Sequence, residues 1–101
     1  MKQFLIKYRL VNGTKEEWHM TVAEFISALD NDPELKDKIS YRCMTTGEDY
    51  YHLAAPVDET AVKTLQQRDY FKRYTEKTKA TGGGEVVVSP LEIIAETAHR
   101  P

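Results

Sequence analysis

From Gln3 to Val11 the residues Phe4, Ile6, Tyr8 and Leu10 alternate with Gln3, Leu5, Lys7 and Arg9, a period of two that predicts a strand with one apolar and one mixed face. Asn12-Gly13 follows. Both residues tolerate the positive φ of a type I′ turn, so the dipeptide predicts a hairpin whose return strand covers residues 14–20 and puts Trp18 and Met20 on one face. Thr21-Val22-Ala23-Glu24 reads as a capping box, with Val22, Phe25, Ile26 and Leu29 at helical spacing behind it. Asp30-Asn31-Asp32-Pro33 ends that helix, ahead of a short turn through Leu35 to Lys38.

Alternation resumes from Ile39 to Met44 and from Tyr50 to Ala55, two strands joined by the turn-rich Thr45-Thr46-Gly47-Glu48-Asp49. Pro56 stops the second strand. Asp58 is placed as an N-cap, and Ala61, Val62 and Leu65 stripe a helix that continues or restarts near Asp69 with Phe71 and Tyr74. Thr81-Gly82-Gly83-Gly84 breaks the chain, and Glu85 to Val88 with Leu91 to Thr97 supplies a last strand, in which Pro90 is allowed only at an edge, a start or a bulge. This order predicts one α+β domain over residues 1–101 with an ordered core of about 3–97 and a frayed Ala98–Pro101 tail. Its architecture is a βαββαβ antiparallel sheet with two helices on one face, plus the extra N-terminal hairpin strand.

Strand alternation then sorts the side chains. One face collects Phe4, Ile6, Tyr8, Ile39, Tyr41, Cys43, Tyr51, Leu53, Leu91, Ile93 and Ala95, and is assigned to the helices. The other carries Leu5, Lys7, Arg9, Arg42, Met44, His52, Ala54, Glu92, Ile94 and Glu96. Apolar residues mixed with charges suit an interface with a second copy, Lys7 and Arg9 facing Glu92 and Glu96; a solvated face with cross-strand ion pairs is the plainer alternative.

Composition narrows the partners. Lys plus Arg number 14 against 16 Asp plus Glu, so no charge excess points to nucleic acid. The single cysteine, Cys43, excludes an intrachain disulfide and a Cys-rich metal site, and fits a reducing, cytoplasmic compartment. Met1 to Lys7 interleaves charges with apolar residues, unlike a signal peptide, and no stretch approaches the roughly 20 apolar residues of a membrane span. His19, His52 and His99 show no metal-ligand spacing, so no metal is expected. Gly82 to Gly84 lacks the context of a phosphate-binding loop. Arg68, Lys72, Arg73, Lys77 and Lys79 form a basic helical stretch interrupted by Asp69 and Glu76, which reads as a solvated face more readily than as a site for an acidic ligand.

From Tyr50 onward, about half the chain resembles the dimeric α+β barrel superfamily, a ferredoxin-like fold, and in particular its antibiotic biosynthesis monooxygenase branch. The resemblance rests on Tyr50 to Ala55, Asp58-Glu59-Thr60-Ala61, Arg68-Asp69-Tyr70-Phe71-Lys72-Arg73-Tyr74-Thr75-Glu76-Lys77, and Gly84-Glu85-Val86 leading into Pro90-Leu91-Glu92. It implies a homodimer formed through the sheet face as a barrel, with a small-molecule pocket between sheet and helices. Members of that branch include cofactor-independent oxygenases of quinols and polyketides, haem-degrading enzymes and proteins without known activity. Where members often carry histidine, this chain has Leu65 and Tyr70, which speaks against a haem ligand and for chemistry without a cofactor.

On the pocket side of the sheet, strand alternation places Tyr8, Tyr41 and Tyr51, and the helix packing puts Trp18, Tyr70 and Phe71 nearby. A cofactor-free oxygenase needs a dry apolar site, polar groups that orient a phenol or quinol, and a means of favouring the substrate anion that passes an electron to oxygen. Tyr51 and His52 are the catalytic candidates, His52 as a base by virtue of its ordinary pKa near 6.5, and Tyr8, Trp18, Tyr41, Tyr70 and Phe71 the candidates for holding a small aromatic ligand. Buried tyrosines are more often core residues, a histidine among Lys7 and Arg42 more often part of an interface network, and Cys43 on an apolar face a small hydrophobe. The expected activity is oxygenation of a quinol-like compound; the alternatives are a non-catalytic small-ligand-binding or stress-related homodimer and a protein-interaction module.

Overall fold

Thr14, not Thr21, starts the first helix. In the computed structural model, which describes residues 2–97, the Thr14 hydroxyl accepts from the Glu17 amide at 3.2 Å, and Glu16 and Glu17 lie in the first turn, where carboxylates favour the helix dipole. Helix α1 then runs Lys15–Asp30 and buries Trp18, Val22, Phe25 and Leu29 on one stripe. The return strand expected over residues 14–20 is therefore helix. Trp18 stands one helical turn before Val22, a spacing that outweighs the alternation of Trp18 with the exposed Met20. Asn12-Gly13 serves a different junction: Gly13 takes φ 86°, while Asn12 donates its side-chain amide to Ala80 O at 2.9 Å and its backbone N–H to Thr81 O at 3.1 Å. A hairpin dipeptide here ties the start of α1 to the end of the last helix.

The sheet has four antiparallel strands: β1 (Lys2–Arg9), β2 (Ile39–Thr45), β3 (Asp49–Pro56) and β4 (Val87–Glu92), in the order β2-β3-β1-β4. With α1 and the helices α2 (Glu59–Gln66) and α3 (Asp69–Thr81), this is the expected βαββαβ ferredoxin-like architecture, its second helix in two pieces. Asp58 caps α2 by accepting from Ala61 N at 2.8 Å. The break before α3 is held by Arg68, bidentate to Asp32 (Nε–Oδ2 2.8 Å, Nη2–Oδ1 3.3 Å) and 2.7 Å from Glu34 Oε1. Pro90 is tolerated because β4 is an edge strand. The strand ends at Glu92, so residues 93–97 are not the continuation expected of them; the frayed tail and His99 lie outside the described residues.

Strand register corrects the assignment of faces. Thr45 pairs with Tyr50 across the hairpin loop, so Cys43 opposes His52 and Tyr41 opposes Ala54. Residues directly opposite share a face, and β1 agrees, Ile6 opposing His52 and Tyr8 opposing Tyr50. His52 and Tyr50 thus join Tyr8 and Tyr41 under the helices, while Tyr51 and Leu53 look out on the open face with Leu5, Lys7 and Met44. An odd-length loop would have been needed to place Tyr51 beside Tyr41; the loop residues 46–49 are even in number, and a slip of one flips every side chain. On β4 the pairs Lys2–Glu92 and Gln3–Leu91 put Leu91 on the open face and Glu92 on the helix side, the reverse of the expectation. Arg9 pairs instead with Asp49 (3.3 Å) and Glu48 (3.9 Å) of its own chain.

Candidate functional site

Four elements converge on His52. It lies in the middle of β3, wholly buried, with Nε2 2.6 Å from the Tyr8 hydroxyl of β1 and Nδ1 2.8 Å from Tyr41 of β2 and 2.9 Å from Tyr74 of α3. Trp18 of α1 donates its indole N–H to the same Tyr8 oxygen at 2.7 Å. Rings wedge the group in place: Phe25 stacks on Tyr74 with centroids 4.0 Å apart, and Tyr50 on Tyr8 at 5.5 Å.

Proton counting constrains the roles. An indole N–H only donates, so the Tyr8 oxygen accepts from Trp18. Neutral His52 carries one ring proton, so one ring nitrogen donates and the other accepts, Nε2 against the Tyr8 hydroxyl and Nδ1 against those of Tyr41 and Tyr74.

Burial sets the charges. It lowers His52 from 6.5 to about 4, so the imidazole is neutral at neutral pH. Burial likewise raises Tyr8, Tyr41 and Tyr74 well above the ordinary phenol range, and pushes the Cys43 thiol up to about 11. The cluster consists of neutral hydrogen-bond donors and acceptors, and among the described residues no buried side-chain N or O lacks a partner.

Beside this cluster a cavity of about 380 Å³ opens between the sheet and α2–α3, a volume at the small end of ligand pockets. Phe4, Ile6 and Ile39 floor it, Leu65 and Phe71 roof it, and Tyr41, Gln66, Thr75, Thr78 and Lys79 are its polar lining. Thr78 already donates to the Tyr74 carbonyl at 2.8 Å.

Of the residues singled out in the sequence, Tyr41 and Phe71 line the cavity. Tyr8 and Trp18 stand behind Tyr41 in the hydrogen-bonded cluster. Tyr70 is elsewhere, donating to Asp32 Oδ2 at 2.7 Å. His52 is brought to Tyr8 and Tyr41 rather than to Arg42, and Tyr51 lies on the far face, its ring 5.8 Å from Lys7 Nζ. Sequence reasoning missed Gln66, Thr75 and Thr78, kept Tyr74 as a helix-stripe residue only, and read Lys79 as part of a solvated face; Tyr74 and Thr75 follow Phe71 by three and four residues, a helical stripe that pointed to them. Among the described residues no three His, Cys, Asp or Glu side chains gather as metal ligands, and no helix is long and apolar enough to cross a membrane.

A ferredoxin-like α+β fold with an apolar cavity between sheet and helices is the class that this architecture and site define. No family model matches the sequence, and no curated protein is significantly similar to it. Solved structures match the fold. SnoaB, a cofactor-independent oxygenase from Streptomyces nogalater, superposes with a TM-score of 0.74 at 11% identity over 97% of this chain and 98% of its own. An antibiotic biosynthesis monooxygenase gives 0.70 at 11% identity over 94% of this chain and 100% of its own. A dimeric ferredoxin-like protein of unknown function from Jannaschia gives 0.63 at 17% identity over 92% and 100%. The chain therefore has the fold of antibiotic biosynthesis monooxygenases.

Proposed function

We propose that the protein is a homodimeric, cofactor-independent oxygenase of a phenolic or quinol-like compound bound in the cavity beneath α2 and α3. The observation that carries this reading is the Tyr41 hydroxyl, held 2.8 Å from His52 Nδ1 at the wall of a largely apolar cavity. Tyr41 is a neutral donor, suited to stabilising the oxyanion of a bound phenol or enol. His52 does not line the cavity and acts as a positioning residue, so the role of base first considered for it is not part of the reading. Tyr51 has no contact with the cavity and is likewise left out.

In this chemistry the substrate loses its acidic proton to solvent, and its anion passes one electron to oxygen. The radical pair joins into a C–O bond, and the hydroperoxide loses water to leave a carbonyl. One oxygen atom enters the product, the other leaves as water, and the substrate supplies all four electrons. The same fold in a cofactor-independent oxygenase supports the reading.

The test is oxygen uptake by purified, metal-free protein over a panel of quinols and anthrone-type phenols. Uptake above buffer that falls by roughly 100-fold in Tyr41→Phe but persists in Tyr51→Phe is the expected result. No uptake with any member of the panel rejects the reading.

A second reading is favoured by one observation: the nearest histidine is wholly buried and has its pKa lowered to about 4, so the cavity wall offers no accessible base. On that reading the protein binds a small aromatic molecule without turning it over. Ligands then raise the melting temperature with no oxygen consumed.

A further inference from the structure

Five basic residues run from the α2–α3 junction to the end of α3, and the structure separates them. Arg68 is committed to Asp32 and Glu34. Lys72 and Arg73 are absent from the cavity wall, and Lys77 borders a separate cleft near Glu17. Lys79 alone of the five lines the cavity. Phe71, Thr75, Thr78 and Lys79 fall at i, i+4, i+7 and i+8, one stripe of the helix, and all four face the cavity.

Lys79 is the single charged residue on that wall. No carboxylate lines the cavity, and among the described residues none lies within 4.0 Å of the Lys79 ammonium. A lysine stem packs along apolar surface while its head stays at the wet mouth. The cavity thus presents a phenol donor from the sheet, an apolar middle and an unpaired cation from α3.

From this placement we infer that the ligand is an aromatic acid, a phenolic ring system bearing one carboxylate that pairs with Lys79 while its hydroxyl meets Tyr41. The inference rests on the pocket reading above and deepens it. An amine would meet an uncompensated positive charge, and a neutral hydrocarbon would use neither polar wall. An aliphatic acid would satisfy Lys79 but leave the Tyr41 hydroxyl and the ring of Phe71 unused.

The experiment is calorimetric titration of the full chain with 4-hydroxy-1-naphthoate, 1-naphthol and decanoate, for the native protein and Lys79→Met. Lys79 is exposed, so the variant keeps the fold, and 1-naphthol binding verifies that. The naphthoate is expected to bind at least about tenfold tighter than 1-naphthol, the advantage to shrink with added salt and to vanish in Lys79→Met, and decanoate to bind more weakly than the naphthoate. Equal affinity for acid and naphthol, an advantage that survives Lys79→Met, decanoate binding as tightly as the naphthoate, or no binding at all each overturns the inference. Oxygen uptake is read separately: acid preference without uptake removes the oxygenase reading alone, and uptake without acid preference removes this inference alone.

Discussion

His52 Nε2 and the Tyr8 hydroxyl lie 2.6 Å apart in a region where His52 has no exposed surface and Tyr8 only 3%. A protonated His52 has both ring nitrogens donating and none left to accept, so one of the tyrosine hydroxyls around it loses the bond it gives to the ring. Charging this histidine therefore breaks the network as well as burying a cation.

The pH dependence of stability follows. His52 titrates at about 4 in the folded protein against 6.5 when exposed, so between those values the unfolded chain binds a proton that the native state does not. Stability falls as the pH drops from 6.5 to about 4, by on the order of 3 kcal/mol in full, and this contribution levels off below. Urea denaturation at a series of pH values measures the slope, and His52→Gln abolishes it. An NMR titration midpoint near 6.5 for the His52 ring contradicts the prediction.

Asp32 acts in a lower window. The Arg68 guanidinium, helped by Tyr70 and the Glu34 amide, holds its carboxyl below the ordinary 3.8, against burial, which pulls upward. A depressed carboxyl stabilises the fold above its unfolded pKa and stops doing so as the pH falls through the folded value. The second loss of stability thus begins only below about 3.8. Asp32→Asn removes it and costs about 2 kcal/mol at neutral pH through the weakened bonds to Arg68 and Tyr70, measured in the same denaturation series.

How far the sequence was legible depended on whether a segment's period had an anchor. Phe4, Ile6 and Tyr8 alternate against charged neighbours, so β1 could be oriented. In β3 both parities read as partly apolar, Tyr50-His52-Ala54 on one side and Tyr51-Leu53-Ala55 on the other, and only the pairing of Thr45 with Tyr50 decides between them. The aromatic character of the site was legible; its centre at His52 was not. Asn12-Gly13 misled for a different reason: its turn conformation is used, but the partner that rewards it is the carbonyl end of α3, roughly seventy residues away in the chain.

Gly82 closes that same corner. Its backbone is ordinary, φ −81°, yet a Cβ there would come 2.9 Å from Val86 Cγ2 and 3.3 Å from Tyr8 Cβ. Val86 sits in a short connection and gives way only by disturbing the cavity wall it forms. Gly82→Ala is expected to destabilise by about 1–3 kcal/mol, and a melting temperature equal to that of the native protein rejects the close packing.

The open face of the sheet carries the proposed dimer. Leu5 opposes Leu53 at its centre, Tyr51 lies between Lys7 and Met44, and Met44, Val87 and Leu91 are 43%, 59% and 38% exposed. A monomer would leave this apolar strip in water, and the Jannaschia protein of the same fold is described as dimeric. Leu53→Glu sets a charge in the middle of the strip without touching the His52 cluster on the other side, so it separates association from folding. Light scattering is expected to show a dimer for the native chain and a monomer for Leu53→Glu, with the pH profile of the variant still carrying the His52 slope. A native chain that stays monomeric at high concentration rejects self-association, because the same apolar strip would then be exposed without drawing two copies together.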